Sequence, residues 1–244
     1  MNTVAKAALG LTAAMLVAFG IEAVYIHYDR ARSAQPAAVP DYGPSDPDDL
    51  VFLKREHPET FADLKDLSGR TVWVQAGGQM EYFHANAHHA DYTKPVGSLP
   101  GAEPLKIVEA FQQTRPNGIA TRVPAGNVQV LLAFTMPKSA DAQKLYAAPA
   151  GYKDASGYTF FTDDIFFYDD PHKLYDWSPQ IWQAIDTHQV TNGMNQRQVS
   201  LSLGAVARQA EYGNGEMVYA NAGHPIAVTF TKGKVTAFHP ADGL

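Results

Sequence analysis

Toward its C-terminal end the chain specifies a helix with both ends written into the sequence, and such a helix must find an apolar surface to lie on. The run is Asn192-Gly-Met-Asn-Gln-Arg-Gln-Val-Ser-Leu-Ser-Leu-Gly204. Asn195 is a favoured N-cap type, and Gln198 stands three positions on, where a capping-box side chain reaches back to the cap's N–H. Met194 and Val199 flank the cap as a hydrophobic staple. Leu203 follows Val199 at i+4, and Gly204 offers the left-handed residue that closes a helix. This register puts Ser200 and Ser202 on the outer side. Before it, Ser178-Pro179 opens another helix as N-cap and N1, with Ile181, Trp182, Ile185 and His188 at packing distances. After it come three β-prone runs, residues 216–220, 226–230 and 234–238, the last two joined by the tight-turn sequence Thr231-Lys-Gly-Lys234.

Taken together, Gly193-Met194, the capped helix with Asn195, Val199, Leu203 and Gly204, then Met217-Val-Tyr219, the strand carrying Val228 and Phe230, and Gly233-Lys-Val235 resemble the SmpA/OmlA (BamE-like) domain. The resemblance covers residues 173–244. It implies a helical pair packed on a three-stranded antiparallel sheet, and a role as an accessory binding module of the bacterial envelope. Two features depart from the family. Ala205 and Val206 follow Gly204 where members commonly carry proline, and the chain has no cysteine for an N-terminal lipid anchor.

With 244 residues and 45% hydrophobic composition, the chain has material for a real core. A formal charge of −6 leaves no basic surplus to release counterions, which argues against nucleic acid as a partner. The absence of cysteine excludes disulfides, thiol catalysis and thiolate metal sites.

Residues 7–26 are almost wholly apolar, with Glu22 their only charge, and are about long enough to cross ~30 Å of hydrocarbon. A cleaved signal peptide would end near Ile21-Glu22-Ala23, a poor small-residue site. An uncleaved anchor would run on to Tyr25 and Tyr28 at the interface, before Arg30 and Arg32. The anchor is the preferred reading, with residues 1–30 as signal-anchor helix. Flanking charge hardly decides orientation; the signal-like shape and the family resemblance together imply the bacterial inner membrane with the bulk of the chain in the periplasm, and cleavage would leave it periplasmic or secreted.

Residues 31–49, rich in Pro, Ala and Asp, read as a semi-rigid tether. Residues 50–172 read as a β-rich domain, a mainly antiparallel sheet or partial barrel, with strands at 71–76, 128–135 and 158–168. A short helix is expected from Pro58, carrying Phe61, Leu64 and Leu67 and stopped by Gly69. The overall fold class is therefore α+β.

Two clusters carry potential chemistry. In Tyr82-Phe-His-Ala-Asn-Ala-His-His-Ala-Asp-Tyr92, a helix would put His84 and His88 on one face at i,i+4, able to reach one zinc ion, with His89 or Asp91 as a third ligand. The glutamate of a zinc-protease helix is missing, because Ala85 follows His84, and a surface loop is the preferred reading. In Thr162-Asp-Asp-Ile-Phe-Phe-Tyr-Asp-Asp-Pro-His172, four aspartates offer oxygens to a hard cation or a divided acid–base pair. Their spacing is not that of an EF-hand; Asp163-Asp164 opening a strand and Asp169-Asp170-Pro171 closing it in a turn is preferred. Ala76-Gly-Gly-Gln79 lacks phosphate-loop spacing, and no G-x-S-x-G, Walker A or S-x-x-K pattern occurs. Trp73, Trp177 and Trp182 read as core or interface anchors.

The expected function is a non-catalytic envelope accessory protein, held at the membrane, that meets a protein partner through a sheet edge or aromatic surface and needs no cofactor. The rival is a metal-dependent envelope enzyme with residues 84–91 and 163–172 converging on one cleft. A fixed accessory subunit of a larger membrane complex is the third alternative.

Overall fold

A computed structural model describes residues 47–114, 127–209 and 215–241. The expected signal-anchor segment and the linker up to residue 46 lie outside them. Backbone contacts divide the chain into Met1–Asp49 and Leu50–Leu244. A 3-10 turn covers Pro47–Leu50, and no helix among the described residues is long and apolar enough to cross a membrane.

Leu50–Leu244 is α+β, with every described strand pair antiparallel. In order run α1 (Phe61–Lys65), β1 (Thr71–Val74), β2 (Glu81–Asn86), β3 (His89–Ser98), β4 (Pro104–Thr114), β5 (Val128–Thr135), β6 (Tyr146–Asp154) and β7 (Gly157–Phe160). They continue as α2 (Thr162–Ile165), β8 (Phe166–Phe167), α3 (Pro171–Leu174), α4 (Pro179–Asp186), α5 (Gln196–Leu203), β9 (Val206–Gln209), β10 (Gly215–Tyr219), β11 (Ile226–Thr231) and β12 (Lys234–Pro240).

The larger sheet has the order β3-β2-β6-β5-β4-β1-β8, with β7 also paired to β6. Its centre, β5, is an apolar run buried on both faces, as two-sided packing requires. Val130, Leu132 and Phe134 enter a large core with Leu64, Val72, Leu105 and Ile107. Leu131 and Ala133, alternating with them, join Phe83, Tyr92 and Phe111 in a smaller one. The sheet curls around this smaller core until β3 returns to β4. There the Gln113 amide accepts the Ala90 N–H at 2.7 Å and donates to the Ala90 carbonyl at 3.0 Å, imitating a strand partner.

The first helix begins later than Pro58. Thr60 and Asp63 form a reciprocal capping box, and that local hydrogen-bond set fixes the start at Phe61. The 158–168 run is not one strand. β7 ends at Phe160, and a single helical turn, Thr162–Ile165, precedes the two residues of β8.

In the C-terminal part, Ser178 caps α4 with Pro179 behind it, and Asn195 and Gln198 form a capping box on α5. Met194, Val199, Leu203, Tyr219, Val228 and Phe230 share one core with Ile185 and Trp182. Ala102, Phe167 and Trp73 also pack into it, so this core joins elements on both sides of residues 172/173. The Gly193 N–H donates to the Val235 carbonyl at 2.9 Å, and the Val235 N–H donates to Met194 at 2.8 Å. Lys232 and Gly233, at φ 51° and 74°, make the two-residue turn between β11 and β12.

Three expectations need correction here. The second sheet has four strands, β12-β11-β10-β9, because the chain enters β9 directly where a proline would have withheld an N–H. Gly204 has φ 87° and ψ −146°, an extended glycine-only conformation rather than the helical left-handed one. Ser202 is buried and donates to the Gln189 carbonyl at 2.7 Å, and Ser200 is half-buried; Gln196 and Arg197 form the outer face.

Candidate functional site

The open edge of the second sheet is β9. Its four residues are all exposed, and among the described residues it pairs only with β10. Met217 opposes Gln209, Val218 opposes Arg208 and Tyr219 opposes Val206, so Ala207 is an extra residue in an irregular ladder. The other side of β9 has no ladder partner among the described residues. The opposite edge, β12, is covered among the described residues only at its start, at Lys234 and Val235. Residues 193–195 bridge the start of β12 at Lys234, and Pro240 ends it. Next to β9, Tyr219 of β10 is fully buried, and burial pushes its hydroxyl up to about 12 against a favourable contact with Ser200. A single β-branched residue, Val206, is too little periodicity to announce this strand from the sequence.

The histidine cluster is a hairpin, not a helix. Ala87 and His88 turn the chain at φ 41° and 62°, and His89 pairs back onto Asn86. The i,i+4 placement of His84 and His88 therefore does not form. The hairpin instead separates them. His88 swings to β4, with Nδ1 2.9 Å from Glu109 and its ring edge-on to Phe111. His84, whose neighbour Ala85 opposes Ala90, lies on the outer face with His89 and Asp91, stacked on Tyr146 at 5.4 Å. Asp91 is held below its usual range by the Thr93 hydroxyl and N–H, with His89 and His84 adding to it. Among the described residues no group of three or more His, Asp or Glu is disposed to hold a metal ion.

The aspartate segment is taken up by local structure. Asp163 lies in α2 rather than opening a strand, and its carboxylate accepts the N–H groups of Glu56 and His57, each at 3.0 Å. Burial raises its pKa, but those bonds outweigh burial and the net shift is downward. Beside it the Arg70 guanidinium donates to Glu56 at 2.6 Å, and with Lys54 holds that carboxyl at about 2. Glu56, Asp63, Asp66, Arg70 and Tyr168 line a polar hollow of about 220 Å³. Asp170 caps α3 and faces His172 Nδ1 at 3.1 Å, while Nε2 lies 3.3 Å from Asp186.

From His172 a column of rings runs inward. The imidazole stacks on Trp182 at 4.0 Å, Trp182 meets Trp177 at 4.7 Å, and Trp177 stacks on Tyr175 at 4.4 Å. Arg197 closes the far end over Tyr175 and donates to its hydroxyl at 3.2 Å. Ring faces spent on one another make a joint rather than a platform for a ligand. Nearby, burial raises Glu103; Lys138 opposes this and Asp186 adds to it. The anchor reading of Trp177 and Trp182 describes this column. In the sequence His172 stands only as the last residue of the aspartate segment, with nothing to mark it as a stacking partner of Trp182, and Arg197 has no pattern beyond helix surface.

Set against family models, curated proteins and solved structures, the chain matches none.

Proposed function

We propose that the protein is a non-catalytic accessory protein of the bacterial envelope, held at the inner membrane by residues 1–30, that takes a protein partner by strand addition at β9. The open edge of β9 carries this reading. An edge strand presents a row of N–H and C=O groups to which an extended segment can add, with side-chain contacts on alternate residues for specificity. The helix pair on an antiparallel sheet, and the residues that build it, support the likeness to the SmpA/OmlA domain and its accessory role. The groups proposed for chemistry lend nothing to the enzyme reading: Asp163 serves backbone N–H groups, Asp170 caps a helix, and His88 pairs with Glu109.

A photo-crosslinking residue placed at Ala207 in cells tests the reading, with the same residue at Thr236 on β12 as control. One discrete protein adduct from position 207 and none from 236 is expected. Equal yields from both positions, or no adduct at 207, would end the strand-addition reading.

A further inference from the structure

Leu50–Leu244 opens on an apolar segment with two faces. Val51 and Leu53 pack against the C-terminal core, while Leu50 and Phe52, alternating with them, turn outward. Phe52 is 94% exposed and Leu50 68%, the two most exposed large apolar side chains among the described residues. The segment is not a loose tail free to fold over them. Arg55 donates to the Asp163 carbonyl at 2.9 Å, and the N–H groups of Glu56 and His57 donate to the Asp163 carboxylate, each at 3.0 Å. The segment is thus clamped to α2, and its inner pair fixes which way the outer pair faces. A lone apolar side chain on a surface needs no explanation. Two held outward together by their neighbours make a small apolar face.

The place of that face in the chain says what it meets. Leu50 stands twenty positions after Arg30, the end of the proposed anchor. Drawn out as polyproline, the tether between them reaches about 60 Å, so the face is never farther than that from the bilayer. Two apolar side chains hold a free protein at a bilayer too weakly to matter. On a tether the same contact is intramolecular, at the high effective concentration that a short linker imposes. Lys54 and Arg55 follow, but they lie against Glu56 at 2.9 Å and Asp164 at 3.7 Å. Apolar contact rather than charge therefore carries the attachment.

We propose that Leu50 and Phe52 dip into the interface of the bilayer that holds residues 1–30, as a second attachment that limits how freely the folded part swings on its tether. The inference rests on the proposed anchor and is independent of strand addition at β9.

Because the chain has no cysteine, one introduced cysteine carries a nitroxide label at a single site. Full-length Leu50→Cys, Val17→Cys within the proposed anchor, and Thr236→Cys on β12 are labelled in vesicles of phosphatidylethanolamine and phosphatidylglycerol. Oxygen relaxes a label in the bilayer, and a water-soluble nickel chelate relaxes one in water. Labels at 17 and 50 should be relaxed more by oxygen, and the label at 236 more by nickel. Phe52→Asp, which removes no buried contact, should return the label at 50 to water. A label at 50 in water while that at 17 lies in the bilayer would overturn this inference and leave the anchor standing, as a face kept for a protein partner would. A label at 17 in water would overturn the anchor and this inference with it. A label at 50 unmoved by Phe52→Asp, or one at 236 also in the bilayer, would overturn the inference too, since label or general adsorption would then be the cause.

Discussion

A β-carbon on Gly101 would overlap the carbonyl oxygen of Leu201. The loop before β4 and the helix α5 therefore meet backbone to backbone, and this contact brings the curled sheet against the C-terminal helices. A methyl group there has nowhere to go without parting them. Gly101→Ala should destabilise the protein by about 1–3 kcal/mol or more, as overpacking does. Gly193→Ala is the comparison, since its φ is 87° and nothing lies within 4 Å of the added carbon. It should cost only the conformational penalty, about 1 kcal/mol. Urea unfolding of both variants measures the difference. Equal losses would mean that the seam yields and that sterics at Gly101 do not decide its residue type.

A second prediction concerns α5. Leu203 and Val199 share a core with Val228 and Phe230, so Leu203→Ala should cost about 2–5 kcal/mol. Asn195 is buried and reciprocally bonded with Gln198, so Asn195→Ala should cost roughly 1–2 kcal/mol. Ser202→Ala should cost about 1 kcal/mol, because the Gln189 carbonyl loses a buried donor. Exposed Gln196 should tolerate Ala within about 0.5 kcal/mol. If Leu203→Ala were no worse than Gln196→Ala in the same urea series, the helix would not be packed as described.

What was legible in the sequence was whatever a few neighbouring residues decide together. The caps of α4 and α5 are local hydrogen-bond sets, and Asn195, Gln198 and Ser178 declare them without reference to the rest of the chain. β5 was legible for the same reason, a β-branched and aliphatic run bounded by breaks. The histidine hairpin was not, because its turn uses Ala87 and His88 where glycine or asparagine would have signalled it. The segment therefore reads as a surface loop, without the strand pair on either side of its turn. β9 and the burial of Ser202 are tertiary facts. A strand of four exposed residues exists because β10 offers it an edge, and Ser202 faces inward because Gln189 returns over the helix.

The candidate site divides the same way. That Asp163 and Asp170 serve structure was readable in kind from acid-and-proline turn chemistry. Their partners were not, since Glu56 and His57 lie more than a hundred positions from Asp163. Nor does any pattern in the sequence show that Gly78, residues 98–101, residues 202–204 and residues 221–222 line one pocket.

The proposed tether makes its own prediction. Residues 7–26 pass into Tyr25 and Tyr28 without a clean small-residue cleavage site. Protein purified from membranes should therefore have the intact mass of the full chain, and should remain in the membrane pellet through an alkaline carbonate wash. A mature N-terminus near Val24, with the protein released by the wash, would end the anchor reading.

The last prediction is a pH dependence. Glu56 has its carboxyl lowered from 4.5 to about 2, first by the hydrogen bond from Arg70 and then by Lys54. A folded value below the unfolded one stabilises the fold wherever the carboxylate is ionised in both states. That contribution is therefore complete above pH about 4.5 and is lost as the pH falls through about 2. Glu56 is partly exposed, so solvent screening reduces it to on the order of 1 kcal/mol. Asp163 titrates beside it in the same direction, so wild type alone would mix the two. Glu56→Gln separates them, because glutamine imitates the protonated acid at every pH. The gap between wild type and Glu56→Gln in urea unfolding should be about 1 kcal/mol at pH 7, narrow below pH 4.5 and close near pH 2. A gap that stays constant to pH 2 would show that the ionised carboxylate is not what holds Arg70 against the residues that lead into α1.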